Sequence, residues 1–182
     1  MYSISVNKID VAKRQVEASI RLHFSGEDPI VVHTIASAAH QILRDISGHR
    51  ETSEWHKDLT QLIRPDMKKE FWANINKSYN FLKHADKDPD ETLELEENIN
   101  DHTIISCCGY FITLGYAASS EMLGFVRWYE IMYPQILDGN SRSGSIISTI
   151  EFDNSAQYTR EDKLNYGWQL IHLIKNINIP TR

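Results

Sequence analysis

The segment Asn80–Asp90 concentrates reactive side chains, with one histidine, two lysines and three aspartates in eleven positions. Imidazole, ammonium and carboxylate groups at this density fit three roles. They hold a metal ion, they bind an anion, or they end a helix with solvated charge. The sequence leaves these three roles open. Its candidate ligand-binding residues are Asn80, Asp86 and Asp88.

The acidic stretch 86–97 partly matches a calcium-binding loop, because carboxylates occupy five of the positions that such loops use as ligands. Two positions oppose that interpretation. Glu91 stands where the sharp turn of the loop requires glycine, and Pro89 has a fixed negative φ and no N–H. A solvated turn that follows a helix is therefore favoured over a calcium site.

Histidines supply a second candidate for a metal site. His33 and His40 are seven positions apart in a helical pattern, so they share a helix face, and His23 is placed to approach them. With Glu17 or Glu70 they would form a carboxylate–histidine site of the kind found in helical bundles. The closely spaced helical metal motifs are absent, and hydrogen-bonded core histidines are favoured. The sequence predicts no bound metal and no cofactor.

A third candidate is the short motif Arg44-x4-His49, in which a polar residue follows the arginine. It resembles the motif of the HEPN superfamily of small helical-bundle domains. The segment Asn80-x2-Lys83-His84 is a second candidate of the same type, with lysine in place of arginine. The general layout, paired N-terminal helices followed by a bundle, is also similar to that family over about residues 7–135.

The resemblance implies a function and a set of roles. Many HEPN proteins are metal-independent ribonucleases of defence or toxin systems that work as dimers. Arg44 would stabilise phosphate charge, and His49 would engage the attacking or leaving 2′-oxygen. RNA is then the expected substrate, and a homodimer the expected assembly. The candidate catalytic residues on this basis are Arg44, His49, Lys83 and His84.

Composition sets limits on the class of protein. The chain has 182 residues, of which 41% are hydrophobic and 24% charged, as expected for one globular domain. It shows no signal peptide and no apolar run long enough for a membrane helix, which favours a cytoplasmic protein without a membrane partner. A net charge of −6 argues against a broad basic surface for nucleic acids and leaves room for a local phosphate site. Cys107 and Cys108 are adjacent and fit small core residues.

Start and stop signals place two helices at the beginning of the chain. Asn7 is positioned to cap the first, which ends at residues 25–27. Asp28 and Pro29 form a strong start for the second, which we expect to close at Gly48 in a left-handed conformation. The short connection makes them antiparallel neighbours.

The middle of the chain is predicted to contain two further helices. The first covers about residues 53–63 and stops before Pro65. Asp66 caps the second, which ends near Ala85. Residues 92–96 alternate between apolar and polar types and favour an extended segment.

The second half contains three more helical patterns. Asp101 is interpreted as the cap of a very apolar helix that runs to about Ala118. Ser120 caps the next helix, which Pro134 bends or ends. Residues 159–162 resemble a capping box that opens the last helix. The aromatic side chains of the preceding helix are interpreted as core; they are Phe125, Trp128, Tyr129 and Tyr133.

Residues 138–158 have the composition of an irregular loop, with a possible short β-strand or hairpin at 146–152. The predicted fold is all-α, a single domain over 1–182 with about six to seven helices. The predicted function is a helical domain that acts through protein–protein interaction or small-ligand binding. The alternatives are a HEPN-like endoribonuclease and, more distantly, a metal-binding bundle.

Overall fold

A computed structural model describes residues 3–50, 64–82, 89–134, 136 and 158–177. Over these ranges the chain forms six α-helices and no strand. The predicted all-α bundle is confirmed. Several sequence predictions lie outside the described residues, among them the helix at 53–63, the end of the fourth predicted helix near Ala85, and the irregular loop at 138–157 with its strand at 146–152.

Two helices, α1 (Lys8–Phe24) and α2 (Pro29–His49), begin at the predicted caps. The side chain of Asn7 accepts a hydrogen bond of 2.9 Å from the backbone N–H of Asp10. Asp28 accepts one of 2.7 Å from the N–H of Ile30. Each cap satisfies a backbone donor that has no partner within the helix. The connection turns at Gly26, whose φ of 72° lies in the left-handed region.

The predicted end of α2 at Gly48 is wrong. Gly48 is helical, and the helix continues through His49, with Arg50 at its C-cap. The N–H of Arg50 still reaches the carbonyl oxygen of Ile46, 3.1 Å away, so regular helix geometry persists past the glycine. This places His49 on the last turn of the helix instead of in a loop.

Helix α3 (Lys68–Phe81) buries one apolar face, on which Phe71 and Ile75 are the most buried large residues. Its predicted cap is wrong. The helix starts after Met67, which makes no side-chain cap. Asp66 instead accepts a hydrogen bond of 2.8 Å from Arg64, so its carboxylate is not directed at the helix.

Helix α4 (Ile99–Thr113) departs from prediction at both ends. Asp101 was expected to cap this helix but lies within its first turn and is fully buried. The helix ends four to five residues before Ala118, because the chain turns at Gly115 with a φ of 84°.

Helix α5 (Ser120–Met132) starts one residue earlier than predicted, because Ser119 supplies the cap. It ends before Pro134, as expected. Helix α6 (Arg160–Asn176) opens with the predicted capping box, in which Thr159 and Asp162 satisfy each other's backbone N–H groups. Reciprocal caps of this kind fix where a helix starts.

The main hydrophobic core lies between α1, α2, α4, α5 and α6. The aromatic residues of α5 are confirmed as core, since Phe125, Trp128 and Tyr129 are almost completely buried. Cys107 and Cys108 are buried free thiols, and burial raises the pKa of both. Helix α3 contributes to a separate small cluster with Ile136.

Helices α5 and α6 pack closely at Gly124. A Cβ at this position would lie 2.7 Å from Cγ1 of Ile171 and 3.1 Å from its Cα. We therefore expect Gly124→Ala to lower the free energy of unfolding by about 1–3 kcal/mol through overpacking. Urea denaturation measures the change.

Gly48→Ala is the matched control, because a Cβ there meets nothing within 4 Å. Since alanine is the better helix former, this variant should be neutral or more stable by up to about 1 kcal/mol. Equal destabilisation by both substitutions would contradict the close contact at Gly124.

Candidate functional site

Asp101 on α4 is a completely buried carboxylate with a shifted pKa. Arg160, the first residue of α6, donates one hydrogen bond to each carboxylate oxygen, at 2.7 and 2.6 Å. Nε2 of His23 on α1 lies 2.9 Å from Oδ1. Tyr133, which follows α5, donates its hydroxyl to Oδ2. One carboxylate therefore joins four helical segments.

These contacts determine the ionisation of the cluster. Burial opposes the charge on Asp101, but the hydrogen bonds from Arg160 and His23 outweigh it and hold the pKa of the carboxyl far below its usual range. Burial and the charge of Asp101 raise the pKa of Tyr133. Asp101 is thus an anion with several donors, and its arrangement is that of a structural ion pair.

His33 on α2 has its own hydrogen-bond partner on α4. Its Nδ1 lies 2.9 Å from Oδ1 of Asn100, while the amide nitrogen of Asn100 donates to the carbonyl oxygen of Pro29. Because that carbonyl only accepts, the Asn100 oxygen must face His33, and Nδ1 carries the proton. Burial lowers the pKa of His33, so the ring is neutral near pH 7.

His40 lies on the same face of α2, as predicted, and also bonds to α4. Its Nε2 is 3.1 Å from the hydroxyl oxygen of Ser106, and its ring packs edge-on against Tyr110. Burial, followed by the charge of Arg44, lowers the pKa of His40 to about 4. Both histidines are buried core residues with hydrogen bonds, which is the interpretation that the sequence favoured over a metal site.

Arg44 extends away from His49. Its guanidinium donates to Oε1 of Gln41, at 2.6 Å, and to Oδ1 of Asn76 on α3, at 3.2 Å. Five positions along a helix separate two side chains by about 140° around its axis. Arg44 therefore contacts α3, whereas His49 borders an open pocket on another side of the bundle.

That pocket has a volume of about 680 Å³ and forms where three chain segments meet. They are the first turns of α1, the end of α2, and the end of α4 with the turn that follows it. Its lining is partly apolar and partly charged. We call the apolar lining residues the floor, namely Ile9, Ile46, Phe111, Tyr116 and Ala117, and the charged or titratable ones the rim, namely Lys8, Asp10, Lys13, His49 and Arg50.

Positive charge predominates on the rim. Lys13 forms a weak ion pair with Glu17, at 3.8 Å. Among the described residues no carboxylate lies within ion-pair distance of Lys8 or Arg50. Exposed cations above an apolar floor provide charge and desolvated contact together, as ligand pockets commonly do.

The remaining predicted site residues divide into two groups. Asn80 is exposed near the end of α3. The others lie outside the described residues; they are Lys83, His84, Asp86 and Asp88. The described part of the chain contains no group of three or more metal-ligating side chains placed to hold an ion.

Comparison of the chain with family models, with curated proteins and with solved structures gives no significant match. The described helices include none that is long and apolar enough to cross a membrane. The HEPN resemblance therefore stays a prediction based on the short motifs and the general layout.

Sequence reasoning missed most of the pocket. Arg50 directly follows the predicted His49, and a search for adjacent cations would have included it. Lys8 and Tyr116 carried no such signal, because they approach Arg50 only through the packing of α1 and α4 against α2. A pocket assembled from three segments is a tertiary feature.

The buried ion pair predicts a specific loss of stability. We expect Asp101→Asn to lower the free energy of unfolding by about 3–5 kcal/mol at pH 7, because it leaves the Arg160 guanidinium without its counter-charge. Glu97→Gln is the matched control. Its carboxylate is 3.9 Å from the same guanidinium but 74% exposed, so its loss should cost less than about 1 kcal/mol.

The same ion pair makes the stability of the fold depend on pH in acid. Because the pKa of Asp101 is lower in the folded chain than in the unfolded one, its contribution is fully present above about pH 4. It is lost as the pH falls below that value. Urea unfolding between pH 6 and 3 should show this loss in the unmodified chain and a weaker one in Asp101→Asn. Parallel curves for the two proteins would refute the assignment.

Proposed function

We propose that this helical domain binds a small anionic ligand in the pocket between α1, α2 and the end of α4. One observation carries the proposal. His49, a residue singled out by sequence, lines this pocket together with Lys8, Lys13 and Arg50 above an apolar floor. The chain as a whole is acidic, at −6, so an accumulation of cations at one concavity is a local departure from its composition.

The size of the pocket supports a small molecule. Pockets for such ligands measure about 300–1,000 Å³, and this one is about 680 Å³. The rim charges are exposed to solvent and lie at the ends of two helices, which gives an anion an open route of entry. Binding by exposed charges weakens as salt screens them, so affinity should fall with ionic strength.

Isothermal titration calorimetry with inorganic phosphate and with benzoate tests whether the pocket binds anions. We expect binding by at least one of the two, and we expect Arg50→Ala or Lys8→Ala to weaken it by about tenfold, the effect of losing one charge-assisted hydrogen bond. Arg64→Ala is the matched control, since this exposed arginine pairs with Asp66 outside the pocket.

Two outcomes would count against the proposal. The first is the absence of binding by every anion tested, phenyl phosphate included, in a chain that melts cooperatively. The second is binding that Arg50→Ala and Arg64→Ala reduce equally, because that would place the anion elsewhere.

A second candidate function is metal-independent cleavage of RNA, the activity implied by the HEPN resemblance. It is favoured by one observation, that the exposed His49 borders the same open pocket as Arg50. A phosphodiester bound by Arg50 would lie where His49 can transfer a proton to or from oxygen. The resemblance also implies that the purified chain forms a homodimer.

Incubation of the chain with single-stranded RNA in EDTA tests this activity. We expect cleavage that His49→Ala reduces by at least about a hundredfold, the usual contribution of a general acid–base group. Arg44→Ala and Arg50→Ala show which arginine acts together with His49. Loss in Arg44→Ala supports the short motif, and loss only in Arg50→Ala supports the pocket. No cleavage by a preparation shown to be dimeric by light scattering would exclude the activity.

A further inference from the structure

The guanidinium of Arg50 is held in place by an aromatic ring. It lies over the ring of Tyr116, 5.4 Å from the centroid, and Nη2 donates to the tyrosine hydroxyl at 2.8 Å. The Tyr116 ring in turn packs 5.3 Å from the ring of Phe111, which belongs to the core. Arg50 is therefore anchored to the bundle although it is exposed and lies beyond the last turn of α2.

Such an anchored guanidinium is suited to a phosphoryl group. Arginine has five N–H donors in a planar arrangement that matches two oxygens of a phosphate at once. The hydroxyl of Tyr116 occupies one donor direction and leaves others for a ligand. Because the ring already restricts the side chain, binding loses less conformational entropy than it would with a freely rotating arginine.

The charge of the rim selects between classes of anion. Lys8, Lys13 and Arg50 contribute three positive charges and Asp10 one negative charge, so the rim carries a net charge of +2 before His49 is counted. A phosphate monoester carries about −1.5 to −2 at pH 7, whereas a carboxylate carries one negative charge. The dianion is the better complement.

The floor of the pocket excludes a bare phosphate as the best ligand. Ile9, Ile46 and Ala117 offer apolar surface that an inorganic ion leaves in contact with water. Burial of that surface against an apolar group is favourable in proportion to the area covered. The ligand should therefore carry an apolar or aromatic body next to its phosphate.

On the basis of the proposed anion binding, we infer that the pocket takes a phosphate monoester of an apolar or aromatic alcohol. Arg50 binds the phosphoryl group, Tyr116 positions Arg50, and the apolar floor accepts the rest of the ligand. An alkyl phosphate and a nucleoside monophosphate both have this combination of groups.

Calorimetry of the full chain with five probes tests the inference. Phenyl phosphate should bind at least about tenfold more tightly than inorganic phosphate, because its ring covers the floor. It should also bind more tightly than benzoate, which has the ring without the second charge. Hexyl phosphate and adenosine monophosphate distinguish an alkyl body from a nucleoside.

The results distinguish failure of the ligand class from failure of the proposed anion binding. If phosphate or benzoate binds as tightly as phenyl phosphate, anion binding stands and the ligand class is overturned. If no probe binds, both are overturned. Tighter binding of phenyl phosphate with loss in Arg50→Ala supports both.

Variants of Tyr116 test its positioning role. Tyr116→Phe keeps the ring and removes the hydroxyl acceptor, so it should weaken phenyl phosphate binding a few-fold, and Tyr116→Leu should weaken it by about tenfold. In the Arg50→Ala background, Tyr116→Phe should have no further effect, because the hydroxyl acts through Arg50 and the ring that lines the pocket is kept. Tyr158→Leu, outside the pocket, is the matched control. Unchanged affinity in Tyr116→Leu, or additive losses in the double variant, would overturn the positioning role.

Discussion

The buried ion pair of Asp101 and Arg160 is the constraint on which the packing of this bundle depends. A carboxylate with no exposed surface is tolerated only if donors replace the water it has lost, and here they come from α1, α6 and the end of α5. Hydrophobic contacts alone would allow helices to slide or rotate, because burial of apolar area has no direction. The cluster fixes the relative positions of four segments at one end of the bundle.

The pocket lies at the opposite end of the same helices. Asp101 is in the first turn of α4 and Phe111 is near its end, about 15 Å further along the axis. His23 is near the end of α1, whereas Lys8 is at its start. Helices α1 and α4 therefore run antiparallel, and the buried cluster aligns them while their other ends remain free to shape a concavity. Stability and the candidate site occupy separate ends of the molecule.

Local signals in the sequence predicted what local interactions determine. The caps at Asn7, Asp28 and Thr159 are short-range hydrogen bonds, and each was predicted at its observed position. Asp101 was misinterpreted because an acidic residue before an apolar run looks the same whether it caps a helix or is buried in its first turn. Its actual role depends on Arg160, 59 positions later. The pocket escaped prediction for the same reason, since contacts between separate segments create it.

The buried and the exposed charged groups of this protein differ in whether a counter-charge lies close to them. In the described residues the fully buried carboxylate has a guanidinium partner, and the buried His33 and His40 have pKa values lowered by burial, so they add no charge near neutral pH. Among the described residues, Lys8 and Arg50 have no carboxylate within ion-pair distance, and both lie beside an apolar surface. Within the described ranges, Arg50 is held over Tyr116 with no carboxylate at ion-pair distance. A cation fixed in position and not used by the fold is what an anionic ligand requires.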